Sequence, residues 1–456
     1  MIKMKTMLLK KQTSSFLILY SLFLIVFTSC SIQKKISRSA TEDVLTNKAL
    51  TTAHVGISIY EPATNKYWYQ YQGDRYFVPA SNTKIPTCYA AMKYLGDSLV
   101  GLRYEMQQGF MAVQPTGDPT FLHPDFQTQP VYEVLKTQKN NIYFYDIAAT
   151  TGLGDGWSWN DYDQYYMAER STMPIYGNLV RIKAGMANSN AEDSIPSFDI
   201  NISPQYFKKQ VRVANVGWKK AKGFTVTRSL DENNFFIGSN GNSRSVEMPF
   251  AKTRSVIYSL LSDTLHTMVL PFGMNKKRFS SSIRSQPTDS LLKPMMHHSD
   301  NFFAEQSLLM VSNEMLGYMN DEKIIDTLLK TDFKDLPQKP RWADGSGLSR
   351  YNLFTPQDFV AILNKMKNEF GMDRLKTIFA TGGEVSSTIS NYYKADSGYI
   401  YGKTGTLSGV VAFSGFLYTK KGKLLIFSTL VNNHQASATD VRRAIEKFLQ
   451  GIRNSY

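Results

Sequence analysis

The sequence predicts an α/β architecture in which a helix-rich domain is split by a long β-rich insertion, and three observations carry that expectation. Near the start, residues 54–60 alternate apolar and polar positions, Pro62-Ala63-Thr64-Asn65 supplies turn chemistry, and 67–71 alternate again. A hairpin is therefore expected to feed a helix over 81–95, where Tyr89, Met92 and Leu95 recur at helical spacing. From about 101 to 286 the texture changes: aromatics, Gly and Asn are frequent, and short alternating runs such as 211–216 and 224–227 read as strands. At the end, strands over 399–403, 410–418 and 424–431 lead into a helix over 438–452, with Lys420-Lys421-Gly422-Lys423 as a turn.

Between insertion and C-terminus, helical texture returns. Residues 301–316 place Phe302, Phe303, Leu308, Leu309, Val311, Met315 and Leu316 in amphipathic spacing, and a Thr355-Pro356 cap opens a helix over 355–367. Ahead of all this, Lys3, Lys5, Lys10 and Lys11 precede an apolar run over 16–27 that stops at Thr28-Ser29-Cys30, the form of an export leader. The small residues before Cys30 resemble the lipobox at which bacterial lipoproteins are cleaved and acylated, although Phe27 stands where Leu is usual. The expected order is thus a leader over 1–30, a polar tether over 31–50, the first part of the split domain over 51–105, the insertion over 106–285 and the second part over 286–456.

Composition narrows the class. The chain has 456 residues, 42% hydrophobic and 20% charged, which suits a globular protein of two or three domains. Its formal charge is +14, but the Lys and Arg residues are scattered rather than interleaved with aromatics, so no nucleic-acid partner is expected. A basic surface near an anionic envelope accounts for the surplus. With two cysteines, and Cys30 assigned to lipid, Cys88 is expected as a small buried hydrophobe and disulfides do not hold the fold. His297-His298 lacks any zinc-ligand spacing, so no metal or cofactor is expected.

Three strings carry chemistry: Ser81-Asn82-Thr83-Lys84, Ser299-Asp300-Asn301 and Lys403-Thr404-Gly405. A serine hydroxyl needs an adjacent base to act as a nucleophile, and a lysine three residues on along a helix projects from the same face. That lysine serves as a base if burial and a second cation, here Lys403, depress its pKa. The backbone N–H of Ser81 at the helix start, with that of Thr406 on the facing strand, forms an expected oxyanion hole. Singly the strings are weak, since Ser31-Ile32-Gln33-Lys34, Ser290-Leu291-Leu292-Lys293 and Ser158-Trp159-Asn160 match as well. Position selects Ser81, which starts a helix after two strands. Pro86, inside that helix, removes the bond to the carbonyl of Asn82 and is expected to bend or tighten the first turn.

The ordered trio, together with Gly117-Asp118-Pro119, Gly156-Trp157-Ser158-Trp159-Asn160-Asp161, Ser299 to Glu305 and Asp344-Gly345-Ser346-Gly347-Leu348-Ser349-Arg350, resembles the class C low-molecular-mass penicillin-binding proteins. The resemblance runs over about residues 50–450. It implies a penicilloyl-serine transferase domain, of the DD-peptidase and β-lactamase kind, with a central antiparallel sheet flanked by helices. The more than two hundred residues between Ser81 and Ser299 suit a family that inserts domains there. It further implies a serine-type D-Ala-D-Ala carboxypeptidase or endopeptidase acting on peptidoglycan stem peptides, with β-lactams as covalent inhibitors, no cofactor, and membrane contact through a lipid anchor on an exported, periplasmic protein. By the same resemblance Ser81 is the acylated nucleophile, Lys84 its base, Ser299 and Lys403 a proton path, and Asn301 an anchor for the substrate amide. Thr404, Gly405 and Thr406 meet the terminal carboxylate, while Arg350, Asp155 and Trp157 flank the side chain of the third stem residue. On the residues alone Trp157 reads equally as a core anchor, Asp344 as a loop organiser and Arg350 as a surface ion-pair residue. A catalytically silent peptidoglycan-binding scaffold and a related β-lactamase or esterase are the alternatives; five intact catalytic residues argue against the first, and the lack of an identifiable water-activating carboxylate argues against fast β-lactam turnover.

Overall fold

The computed structural model describes residues 33–146, 151–186, 198–213, 224–238, 244–274, 278–396 and 398–456. The leader and the lipidation candidate Cys30 lie outside the described residues. A six-stranded antiparallel sheet forms the centre, in the order Ala380–Thr381, Ile400–Leu407, Val410–Tyr418, Leu424–Asn432, His54–Glu61 and Lys66–Tyr71. Its inner strands are buried on both faces, because helices cover each side. Along a strand side chains alternate between faces: Ile426 and Leu430 join one core, while Leu425, Phe427 and Val431 join the other. The first core holds the helices Lys84–Tyr94, Thr288–His297, Asn301–Leu316 and Pro356–Phe370; the second holds the C-terminal helix Ala438–Ser455.

Local chemistry sets the helix ends. Asp300 caps Asn301–Leu316 by accepting from the N–H of Phe303 at 2.8 Å. Thr355 and Asp358 form a reciprocal capping box ahead of Pro356–Phe370. Between the two halves of this domain, the strands Ser98–Gln107 and Ser281–Pro287 pair with each other in a mixed five-stranded sheet, and two three-stranded sheets follow within the intervening chain. Short strands do dominate there. The region also holds a helix that strand texture had hidden, Arg254–Leu265, which buries Ile257, Leu260, Leu261 and Leu265 in the insertion's own core.

One expectation is corrected. Of the segment 31–50 expected as a tether, the described part is packed: residues 33–40 are helical, a π turn continues over Thr41–Leu45, and a short 3-10 turn covers Lys48–Leu50. Ile36, Ala40 and Val44 are almost fully buried and belong to the core of the C-terminal helix. Their spacing by four is a helical period that the surrounding Lys, Ser and Thr residues obscure. Ile36→Ala should therefore cost about 2–5 kcal/mol in urea unfolding, the range for a large-to-small change in a core; a segment that only tethers would leave the transition unmoved.

Candidate active site

The turn that carries Ser81 is tight. Ala80–Thr83 is a 3-10 turn entered through a left-handed Ala80 (φ 47°), and the α-helix proper begins at Lys84, so Pro86 falls in its first turn, where an N–H has no intrahelical acceptor to lose. The tightening that Pro86 foreshadowed is present, and it leaves Ser81 and Lys84 in register. Lys84 Nζ lies 3.1 Å from Ser81 Oγ, 2.6 Å from Asn301 Oδ1 and 2.7 Å from the carbonyl of Ser346. An ammonium offers three donors, and all three are met here. Beneath the turn, Asn82 donates to Ser414 Oγ at 2.7 Å and Ser414 to Ser428 Oγ at 2.8 Å, which pins the turn to the central sheet.

Lys84 is wholly buried, and burial pulls its pKa down to about 8 against the upward pull of Asp344, Asp300 and Glu305. Lys403, equally buried on the facing strand, donates to the carbonyl of Thr404 at 2.9 Å. Its pKa falls well below the usual lysine value, through burial first and then the charges of Lys84 and Arg442. The repulsion expected to depress Lys84 is thus felt on Lys403, because Lys84 has carboxylates nearby to hold its charge. Gly405 follows on the same strand, where a Cβ would lie 2.6 Å from the carbonyl of Pro79 and 2.9 Å from the nitrogen of Ser81. The strand can approach the turn of Ser81 because that position carries no side chain.

Ser299 sits in the left-handed region (φ 64°) immediately before the Asp300 cap, and with Asn301 lines a cavity of about 260 Å3. It makes none of the hydrogen bonds that hold Lys84 or Lys403. Asn301 spends its amide N–H on the carbonyl of Tyr166, in the insertion, at 3.0 Å. Thr404 and Thr406 share the alternate face of their strand: the first donates to Thr388 Oγ1 at 2.7 Å, and the second accepts from Arg442 Nη2 at 2.6 Å. Arg350 reaches the carbonyl of Ser408 at 3.0 Å, past the end of that strand.

The loop after Trp342 supplies the third oxygen around Lys84. Asp344 is buried and accepts from the N–H groups of Gly347 and Ser349, the amide of Asn352 and the indole of Trp157, at 2.7–2.9 Å. It organises the loop, and Trp157 braces it from the insertion with its N–H already committed. Asp155, exposed two residues earlier, borders a separate cavity of about 820 Å3 with Arg170 and Arg341. Glu305 Oε1 accepts from the N–H of Ser346 at 2.7 Å, which turns the Ser346 carbonyl toward Lys84. Burial and the neighbouring Asp344 push the Glu305 carboxyl up to about 7, against the pull of buried Arg170 at 3.5 Å. Glu305 and Ser346 stand inside strings quoted from the sequence, yet no role was read from them; Tyr166, Arg170, Thr388 and Arg442 carried no signal. Among the described residues, no three His, Cys, Asp or Glu side chains group as metal ligands.

A desolvated lysine beside a serine hydroxyl is an arrangement that can support acyl-serine chemistry, and the antiparallel sheet flanked by helices that carries it is a penicilloyl-serine transferase fold. The chain belongs to the D-Ala-D-Ala carboxypeptidase 3 (S13) family, whose model matches residues 37–452. It is 24% identical over 448 residues to a D-alanyl-D-alanine carboxypeptidase of an Actinomadura species, covering 88% of this chain and 82% of that one. It is also 24% identical over 452 residues to the D-alanyl-D-alanine carboxypeptidase DacB of Haemophilus influenzae, covering 90% and 92%. The crystal structure of penicillin binding protein 4 from Haemophilus influenzae matches the fold with a TM-score of 0.70 at 22% identity, over 92% of this chain and 98% of that one.

Gly347 provides a test of this geometry. It has φ +86°, and a Cβ there would lie 1.9 Å from the carbonyl oxygen of Ala80. Gly347→Ala should slow penicillin acylation at least tenfold. Gly371→Ala, at φ +74° with nothing within 4 Å of the added carbon, should leave acylation unchanged. Equal rates for the two variants would mean that the loop does not hold Ser81 in place.

Proposed function

We propose that this chain hydrolyses the bond ahead of a D-Ala in peptidoglycan stem peptides, as a serine-type D-Ala-D-Ala carboxypeptidase with endopeptidase action on cross-links, through an acyl intermediate on Ser81. The observation that carries the assignment to Ser81 is the burial of Lys84 Nζ at 3.1 Å from Ser81 Oγ, with its pKa near 8. When Lys84 is neutral its lone pair accepts the Ser81 proton as Oγ bonds to the substrate carbonyl carbon. The carbonyl electrons move onto oxygen, which the N–H groups of Ser81 and Thr406 receive. On collapse the C–N bond breaks, and the leaving amine takes a proton by way of Ser299 and the lysine pair. Water then releases the acyl group and restores the hydroxyl. β-Lactams acylate the same serine.

Asn301 anchors the substrate amide in this scheme, and the terminal carboxylate is received by Thr404 and Thr406, with Gly405 keeping the strand close. Arg442 adds a cation beside Thr406. Arg350 flanks the third stem residue, with Trp157 acting through the Asp344 loop it braces, and Asp155 would reach that residue only if it extends into the neighbouring cavity. The basic leader, the apolar run over 16–27 and Thr28-Ser29-Cys30 support an exported, periplasmic protein lipidated at Cys30.

Ser81→Ala should abolish covalent labelling by fluorescent penicillin and all release of D-Ala from purified muropeptides, with an unchanged circular dichroism spectrum. In the wild type, loss of terminal D-Ala alone indicates a carboxypeptidase, and conversion of dimers to monomers indicates an endopeptidase. Labelling that persists in the variant would remove Ser81 from the mechanism.

The pH dependence follows from the depressed lysine pair. The neutral amine is the active form, so the acylation rate should climb about tenfold per pH unit below about pH 8 and level off above it. Lys84→Arg, which stays protonated, should lose acylation across the whole range. A flat profile from pH 6 to 9, or an active arginine variant, would exclude a lysine base.

A further inference from the structure

One end of the molecule carries basic residues that the chemistry leaves unused. The N-terminal helix runs antiparallel to Ala438–Ser455: Asp43 pairs with Lys447 at 2.9 Å, while Ser39, one turn earlier, lies beside Gly451, one turn later. Its first residues therefore sit at the end of the C-terminal helix. The turn after Val410–Tyr418 is fastened to that same end, since Lys420 N–H donates to the carbonyl of Arg453 at 3.0 Å and Lys421 N–H to that of Tyr456 at 2.7 Å. Lys34, Lys35, Lys420 and Lys421 are all exposed there, and none is paired with a carboxylate among the described residues. Beside them a cleft of about 390 Å3 has Gln33, Lys34 and Ser37 on one side and Tyr67, Trp68 and Tyr69 on the other. The Trp68 ring lies 5.1 Å from that of Tyr456 and beneath the Lys423 ammonium at 5.3 Å.

We propose that this end is a docking surface for an anionic lipid bilayer, the four lysines meeting headgroup phosphates. Polybasic patches are the groups that such an interface favours. The point of chain entry selects lipid over other polyanions. Two residues separate Cys30 from the packed helix at Gln33, so an acylated Cys30 reaches about 11 Å at most from it. The choice of lipid thus rests on the anchoring reading, while the basic patch does not. Lys403 pairs with Ser414, and the four further residues to Tyr418 put the patch about 14 Å along the sheet from Lys403. A docked enzyme would hold its cleft at a fixed height above the lipid and act on stem peptides close to the membrane.

Every packed contact described lies at or after Gln33, so the chain from Ser31 onward contains the whole folded body. That form, which has no lipid and no apolar leader, should sediment with vesicles of 30% phosphatidylglycerol in phosphatidylcholine and not with pure phosphatidylcholine. Binding should fall at least tenfold in K34E/K35E/K420E/K421E and in 0.5 M salt, with penicillin labelling unchanged. The milder K420Q/K421Q, should the charge reversals impair folding, is expected to weaken binding as well. Variant binding equal to wild type, equal binding to both vesicle types, or sedimentation with purified sacculi and not with vesicles would overturn the proposal. The mass of the mature N-terminus from the full chain tests the anchor separately: a start other than acylated Cys30 removes the anchoring reading and leaves the vesicle result to stand by itself.

Discussion

An amine nitrogen taken out of water must be given oxygen acceptors, and in this protein that requirement falls on Lys84 Nζ. Its three partners come from the turn at Ser81, the helix at Asn301 and the loop at Ser346, segments far apart in the chain. Leaving one of these bonds unmade would expose a buried charge to the desolvation penalty it otherwise avoids. The remainder of the site can be read as what holds those three oxygens still. Glu305 grips the N–H of Ser346, Asp344 gathers the loop, and the Asp300 cap fixes where the helix of Asn301 begins.

The insertion takes part in this constraint although no proposed catalytic group lies in it. Tyr166 gives its carbonyl to the Asn301 amide, Trp157 its indole N–H to Asp344, and Arg170 its charge to Glu305 and Asp321. Gln306, in the helix that starts at Asn301, bonds the carbonyls of Gly117 and Ser171 at 2.7 and 2.8 Å. Ser81 and Lys84, the proposed nucleophile and base, come from the split domain, and part of their rigidity is borrowed from the chain inserted within it. A long insertion between first and second motif thereby becomes a structural wall of the cleft.

The sheet separates the Ser81 site from the proposed docking end. Toward one end of its strands lie Gly405, the turn of Ser81 and, from the C-terminal helix, Arg442 beside Thr406; at the other lie the Lys420 turn, the last turn of the C-terminal helix and the Trp68 edge. Antiparallel strands make the separation rigid, since every residue of Ile400–Leu407 is paired with Val410–Tyr418. The helical packing of residues 33–50 extends that rigidity almost to Cys30, where a loose tether would have uncoupled the two ends.

What the sequence determined by itself is whatever local periodicity and short-range spacing encode. The hairpin, the helix caps at Asp300 and Thr355, the closing strands, and the meeting of Ser81 with a lysine three residues on all follow from rules that act within a few residues. The helix at 33–45 and that at Arg254–Leu265 obey the same rules, but polar neighbours and strand-like surroundings hid them. The tertiary structure decided the rest: that a backbone carbonyl at Ser346 completes the lysine's shell, that Arg442 stands beside Thr406, and that the repulsion between amines is felt on Lys403. Carbonyl acceptors carry no side-chain identity, and a pKa depends on burial and on charges brought together from distant parts of the chain. Neither is written at any one position of the sequence.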